Sequence, residues 1–312
     1  QKTNHSENLN CLTHTNLIGI MTKKKAIFVS TNEGLGDQIV IQGGVRYLSF
    51  IYDKVYFFCW KDFNQTSYIE HAKFLFKHDN NIEIASIEKP NNFRDRLEKQ
   101  KLAKLKLIKQ CYDETVNKNS DYEFEPYKRH FWPTVEEMLM IAENQEHPVE
   151  QDKIIFPRIF YKVIEAPYQT RYQLKKIHRN HKREKEIFDM LNIQGPYAFC
   201  VNQGSGCKWN FKYDTTLPCV NPSNYPFLKN TLLFDWQLVI ERASEIHMVD
   251  TSWLHLCRSL QLDIPKFFYS VKKFVTAEVN KKGEYIDEFL NDSYDNNWKK
   301  IEKKQCVKTR AK

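Results

Sequence analysis

The 312-residue chain contains no run of 18 or more apolar residues, which removes a membrane-spanning helix from consideration. Its first twenty residues are mostly polar and lack the long apolar stretch of a secretory leader. Met21, followed by Thr22-Lys23-Lys24-Lys25, reads as a natural start, with residues 1–20 a tag, a linker or the tail of a preceding domain; the residues do not choose among these. The eight cysteines (11, 59, 111, 200, 207, 219, 257 and 306) show no Cys-x-x-Cys pair and no repeated spacing, so a zinc site is not expected. Several, such as Cys59 in VYFFCW and Cys200 in YAFCVN, lie inside apolar runs where cysteine behaves as a small core residue. Reduced thiols and a cytosol-like, cytoplasmic compartment follow as the expectation. Also missing are an Asp-x-Asp pair, the Gly-x-Ser-x-Gly turn of serine hydrolases, and any short internal repeat or low-complexity block.

The net charge of +8 invites thoughts of nucleic acid, but 39 acidic residues are interspersed with the 47 basic ones. One local basic concentration is residues 94–109, where Leu97, Leu102, Leu105 and Ile108 recur at helical spacing. An amphipathic helix with a solvated basic face explains it. Contact with an anionic acceptor or with a membrane periphery stays open, and nucleic acid is not the expected partner.

Apolar runs and helical periodicities alternate along the chain. Strands are expected at 26–30, 54–59 and 82–87, and helices at 37–50, 66–77 and 93–116, with Ile41, Val45 and Leu48 at three-to-four spacing in the first. Residues 117–182 carry a polar stretch, a short helix near 134–144 and a proline-punctuated region, and the inter-domain connection is placed near 160–180. Thereafter helix 183–192, a Gly195-Pro196 break, strand 197–202, helix 231–243, strand 245–249, helix 252–261 and strand 265–270 restore the pattern. The tail from 282 has helical spacing, with Tyr285, Phe289 and Trp298 as apolar anchors. The expected class is α/β: two halves of similar build, each a parallel sheet flanked by helices.

Three turns can carry chemistry. The first is Gly34-Leu35-Gly36-Asp37-Gln38, between strand 26–30 and its helix. Ile39 occupies the third glycine position of the dinucleotide fingerprint, and the Gly-Lys-Ser/Thr ending of a P-loop is missing. A carboxylate there repels phosphate, so Asp37 suits a general base that takes a proton from a hydroxyl; equally, it caps the helix. The second turn is Val249-Asp250-Thr251-Ser252, where two hydroxyls and backbone N–H groups at a helix start make a diphosphate site. His255, one turn in, either donates to an anionic oxygen or is a surface histidine. The third is Gln203-Gly204-Ser205-Gly206-Cys207-Lys208, which reads as a backbone nest with a point charge for phosphate or as a flexible turn.

GLGDQIVIQGGVRYL resembles the first βα loop of heptosyltransferase-like GT-B glycosyltransferases, and VDTSWLHLCRSL is similar to their nucleotide-binding Asp-Thr-Gly-x-x-His-Leu segment. The pairing also occurs in related viral and bacterial glycosyltransferase-like proteins. The resemblance implies a GT-B-like fold of two Rossmann-like domains with parallel sheets facing each other across a cleft: an acceptor domain over 21–165, a nucleotide-sugar domain over 166–275, and a helical segment over 276–312 packing back across the junction. It implies transfer of a sugar from a nucleotide-diphosphate sugar to an acceptor hydroxyl on a glycan or other molecule, with Asp37 as base and inversion at the anomeric carbon. Thr251, Ser252 and His255 then contact the donor diphosphate with Asp250, Gly204, Gly206 and Lys208, while Gly34, Gly36 and Gln38 lie on the acceptor side. No metal and no further cofactor are implied. The motifs span some thirty residues and depart from the family at Ser252, which stands where it has glycine and precedes bulky Trp253. Three other readings compete: a GT-B-shaped sugar-nucleotide epimerase, a silent sugar-nucleotide or glycan-binding module, and a basic nucleic-acid-binding protein.

Overall fold

The computed structural model describes residues 24–30, 34–61, 68–88, 97–125, 160–161, 164–204, 207–228, 230–270, 298–302 and 307–310. The expected short helix near 134–144, residues 1–20, and Ser205 and Gly206 lie outside them.

The first half runs β1 (Lys24–Val29), α1 (Leu35–Leu48), β2 (Lys54–Lys61), α2 (Tyr68–Leu75), β3 (Ile82–Glu88), α3 (Leu97–Lys118) and β4 (Tyr122–Phe124). Its four strands are all parallel, in the order β3-β2-β1-β4. The run Val55-Tyr56-Phe57-Phe58-Cys59-Trp60 has no alternating polar residues because β2 is covered on both faces. Val55, Phe57 and Cys59 join the core under α1 and α2, whereas Tyr56, Phe58 and Trp60 join a second cluster with Ile108 and Cys111 of α3.

The second half contains α4 (Thr170–Gln173), α5 (His181–Leu191), β5 (Ala198–Val201), β6 (Gln203–Gly204), β7 (Cys207–Asn210), β8 (Cys219–Val220), α6 (Gln237–Glu241), β9 (Glu245–Met248), α7 (Ser252–Leu260), β10 (Lys266–Ser270), β11 (Trp298–Glu302) and β12 (Val307–Arg310). A five-stranded parallel sheet has the order β11-β10-β9-β5-β8, and β12-β7-β6 form a small antiparallel sheet beside it. The α/β class with two parallel sheets is as expected.

Three details differ from the sequence reading. The helix expected over 231–243 is a 3₁₀ turn at Leu233–Trp236 followed by the five-residue α6. Residues three apart eclipse in a 3₁₀ turn, which lets both Leu233 and Trp236 reach the core. The described residues of the phosphate loop expected over 203–208 are the two arms of a β-hairpin, with Gln203 paired to Lys208 and Gly204 to Cys207. The helix expected over 276–312 is replaced, where that segment is described, by two strands. Trp298 enters the main core while Ile301 packs with Trp209, Val249 and Tyr269 on the opposite face of the sheet. That division fits a strand of period two, whereas helical spacing would have put both on one side.

One apolar core runs through both halves, taking in Phe57 and Leu75 from the first and Phe199, Trp236 and Ile246 from the second. Polar ties reinforce the join. The Leu233 N–H donates to Nε2 of buried His71 at 2.9 Å, and Phe74 stacks on Phe234 with centroids 5.4 Å apart. Residues 160–161 and 164–171 pack on the face of α1. There the Tyr161 hydroxyl accepts from Gly44 N–H at 3.0 Å, and a Cβ on Gly43 would lie 2.2 Å from the Thr170 carbonyl oxygen. Arg46, 2% exposed, donates to Asp79 at 2.9 Å and to the Leu75 and Leu174 carbonyls, binding α1 to both neighbours. Among the described residues no helix is long and apolar enough to cross a membrane, and Cys59, Cys111, Cys200, Cys219 and Cys257 form no disulfide with one another.

Candidate functional site

In each parallel sheet the chain reverses its direction of strand addition once. In the first, strands are added outward from β1 through β2 to β3 and then return to β4 on the other side of β1. In the second, β8 is added on one side of β5 and β9 on the other. The crevice beyond the carboxyl ends of the strands at such a reversal is where open α/β sheets take ligands. The turn before α1 leaves β1, the hairpin leaves β5, and residues 249–252 leave β9, so all three sequence-selected turns sit at the two reversal points.

The α1 turn begins at the N-cap Gly34, whose N–H donates to Asp37 Oδ2 at 3.1 Å. The half-buried Asp37 carboxylate therefore folds back over the first turn of its own helix, where negative charge is favourable. The α7 turn is capped by Thr251, whose Oγ1 accepts from Trp253 N–H at 3.2 Å. A hydroxyl that accepts through its lone pair keeps its own hydrogen to donate elsewhere.

These two helix starts touch. A Cβ placed on Gly36 would lie 2.6 Å from Cδ2 of His255 and 3.3 Å from the Ser252 Cα, so only glycine allows α1 and α7 to approach this closely. The hairpin joins the group, since a Cβ on Gly204 would lie 2.5 Å from Thr251 Cγ2 and 3.7 Å from the Asp250 carbonyl oxygen. Gly34, Gly36, Asp37, Gly204, Asp250, Thr251, Ser252 and His255 thus come together. Lys208 lies beside them on β7, exposed and flanked by Gln203 and Thr309.

Gly36, expected on the acceptor side, has the His255 ring packed against it, and one assignment changes. Gln38, expected on the acceptor side, is 4% exposed and donates from Nε2 to the Tyr68 carbonyl at 3.3 Å, with Cys59 Sγ at 3.5 Å. Its place at the second position after Gly36 turns it inward, where an amide must find partners.

A small cleft of about 30 Å³, counted as the space open to the centre of a water-sized sphere, lies one turn further along the contact of α1 and α7 and opens to solvent. Ile39 and Val40 of α1 form its apolar wall, and Arg171, Tyr172, Lys175, His255, Arg258 and Ser259 supply its polar groups. Only His255 of these was singled out from the sequence. The signals were present in the run Arg171-Tyr172-Gln173-Leu174-Lys175-Lys176 and in Arg258, three residues after His255 and hence on the same helix face.

No family model matches the chain, and no curated protein matches it either. Among solved structures it is similar to a glycosyl transferase of family 9 from Veillonella parvula, at 10% identity and a TM-score of 0.46 over 93% of this chain and 90% of that one. It is also similar to the E. coli ADP-heptose LPS heptosyltransferase II, at 9% identity and a TM-score of 0.45 over 88% and 90% of the two chains. A third is the E. coli heptosyltransferase WaaC with ADP-2-deoxy-2-fluoro heptose, at 11% identity and a TM-score of 0.35 over 80% and 90%.

Proposed function

We propose that this chain is a glycosyltransferase that moves a sugar from a nucleoside-diphosphate sugar to an acceptor hydroxyl. The observation that carries the reading is the meeting of a carboxylate-bearing helix start and a hydroxyl-capped helix start at the reversal points of two parallel sheets. Each does half of a displacement. Asp37 takes the proton of the acceptor hydroxyl, whose oxygen forms the new bond to the anomeric carbon. The bond from that carbon to the diphosphate oxygen breaks, and its electron pair leaves with the diphosphate. Thr251, Ser252, the first N–H groups of α7 and Lys208 receive the leaving charge, with His255 and Asp250 at the edge of the site. A single base on the acceptor side fits one in-line displacement and therefore inversion. Neutralisation by the helix start and Lys208 fits a reaction without a divalent cation, and the chain has no Asp-x-Asp pair to hold one. The same reading places the acceptor on the first half and the donor on the second.

A panel of nucleotide sugars and nucleoside diphosphates tests it by thermal shift, followed by detection of glycoside product, with and without a chelator. A donor that stabilises the chain and yields a glycoside in the presence of chelator is the expected result. Absence of stabilisation by every nucleotide removes the reading.

The bond between Gly34 N–H and Asp37 favours a second reading, in which Asp37 is only a cap and the chain binds nucleotide sugars without turnover. In that case Asp37→Asn leaves binding intact and there is no transfer to lose.

A further inference from the structure

The cleft between α1, α4 and α7 gathers charge of one sign. Arg171 and Lys175 reach it from the segment before α5, and His255 and Arg258 from one face of α7. Tyr172 and Ser259 add hydroxyls, and no acidic residue is among the described residues that line it. Both arginines are built in rather than dangling: Arg171 is 7% exposed and Arg258 6%. Arg171 is held by the Tyr168 hydroxyl, with its guanidinium 5.6 Å from the centre of the Tyr168 ring and 5.2 Å from that of Tyr172. The Ser259 hydroxyl donates to the His255 carbonyl at 2.7 Å, so its hydrogen is committed to the helix. Two mostly buried guanidiniums beside an apolar wall are less well screened than surface cations, so their pull on an anion in the cleft is stronger than at an exposed surface. Guanidinium forks match the oxygens of a phosphoryl group two at a time, and a lysine adds a movable point charge.

We propose that this cleft is a binding site for a phosphate-type anion, held by Arg171, Lys175 and Arg258. It is offset from the diphosphate position at the start of α7, because Arg258 and Ser259 stand about 10–12 Å along the helix from Thr251, with His255 between the two. A bound anion links α7 of the second half to α4, which packs on α1 at Gly43, and so steadies the relative placement of the two helix starts. The site does not depend on glycosyl transfer being the reaction. Its ligand is either free inorganic phosphate or a phosphoryl group carried by a larger molecule, and the recognition chemistry is shared.

The test titrates the whole chain with inorganic phosphate at constant ionic strength, by calorimetry and thermal shift, with adenosine diphosphate as the probe of the α7 start. Saturable phosphate binding is expected, weakened about tenfold or more in Lys175→Gln, while adenosine diphosphate affinity stays within about twofold. Arg258→Gln is expected to do the same; Lys175 is only half-buried, so its variant keeps the test sound if the arginine variant does not fold. Glucose 6-phosphate distinguishes the sources: binding at least about tenfold tighter than phosphate, through Lys175, identifies a substrate-borne phosphoryl group. Equal or weaker binding identifies the free anion. Absence of saturable phosphate binding overturns the proposal, as does undiminished affinity in Lys175→Gln. Competition with adenosine diphosphate that persists in Lys175→Gln also overturns it, since the anion then sits at the α7 start. Failure of adenosine diphosphate to bind, with phosphate binding intact, counts against the glycosyltransferase reading alone.

Discussion

The starts of α1 and α7 occupy equivalent places in their sheets, yet their first turns are finished with opposite chemistry. At α1 the N-cap is Gly34, which has no side chain to offer, and the Asp37 carboxylate reaches back to its N–H. At α7 the Thr251 hydroxyl does the capping, and the first turn holds no acid. Asp250 stands just outside that helix, before the cap. A helix start whose positive end is met by its own carboxylate has no use for a phosphate, whereas one capped by a neutral hydroxyl keeps its pull on anions. The same backbone solution therefore presents a carboxylate at one reversal point and a hydroxyl-capped helix start at the other, which the proposed reading uses as base and anion receptor, and Gly36 against His255 holds the two in register.

The largest effect is expected from erasing the charge that distinguishes α1. Asp37→Asn should lower transfer by about 10²- to 10⁴-fold, the range for loss of a general base. The amide oxygen can still accept from Gly34 N–H, so stability should fall by no more than about 1 kcal/mol. Nucleoside diphosphate affinity should stay within about twofold. Single-turnover rates and denaturant melts of the same preparation measure both. A melt that falls by several kcal/mol would make Asp37 a structural residue.

Next comes the contact that brings the two starts together. In an open helix, replacing glycine by alanine stabilises by up to about 1 kcal/mol. At Gly36 the new methyl meets His255, so Gly36→Ala should destabilise by about 1–3 kcal/mol through overpacking. The sign alone decides. A rise in melting temperature would mean that α1 and α7 do not pack as closely as the structure shows.

A smaller effect separates capping from ligand binding at α7. Thr251→Ala should cost about 1 kcal/mol of stability and weaken nucleoside diphosphate binding several-fold, because one oxygen serves both roles. Thr251→Ser keeps that oxygen and should restore most of both. Restoration of stability without restoration of binding would assign the anion contact to a neighbour.

Much of this frame was legible in the residues because local rules governed it. The apolar runs of β1 and β2 read as strands, and the glycine and carboxylate of residues 34–37 marked the turn that the sheet order places at a reversal point. The misread parts depend on partners far along the chain. Nothing near Gly36 reveals that His255 fills the space beside it, and nothing near Gln38 reveals that it must satisfy the Tyr68 carbonyl. Trp298 and Ile301 have the spacing of a helix stripe, but β10 offers an open edge and each face of the resulting strand finds its own cluster. Arg171 and Arg258 were invisible as a pair because 87 positions separate them (258 − 171). Periodicity cannot register such a pair.

The smallest effect concerns the joint that sets the two starts against each other. His178 packs edge-on to His78 and Phe74 where the segment before α5 meets the first half, and its carbonyl accepts from Gln237 at 2.7 Å. Burial, then the nearby charges of Arg46 and Lys77, hold its imidazole down to about 4, against the weaker opposing pull of Asp79. In the unfolded chain the group titrates near 6.5. The neutral ring is thus the form that the fold prefers, and its contribution to stability is complete above about pH 6.5 and shrinks as pH falls toward about 4. Melts from pH 7.5 to 4.5 should show stability declining with acid, with a shallower decline in His178→Gln. An identical slope in the variant would place the acid sensitivity at another group, with His247 next in line because burial also holds its ring low despite its bond to Glu245.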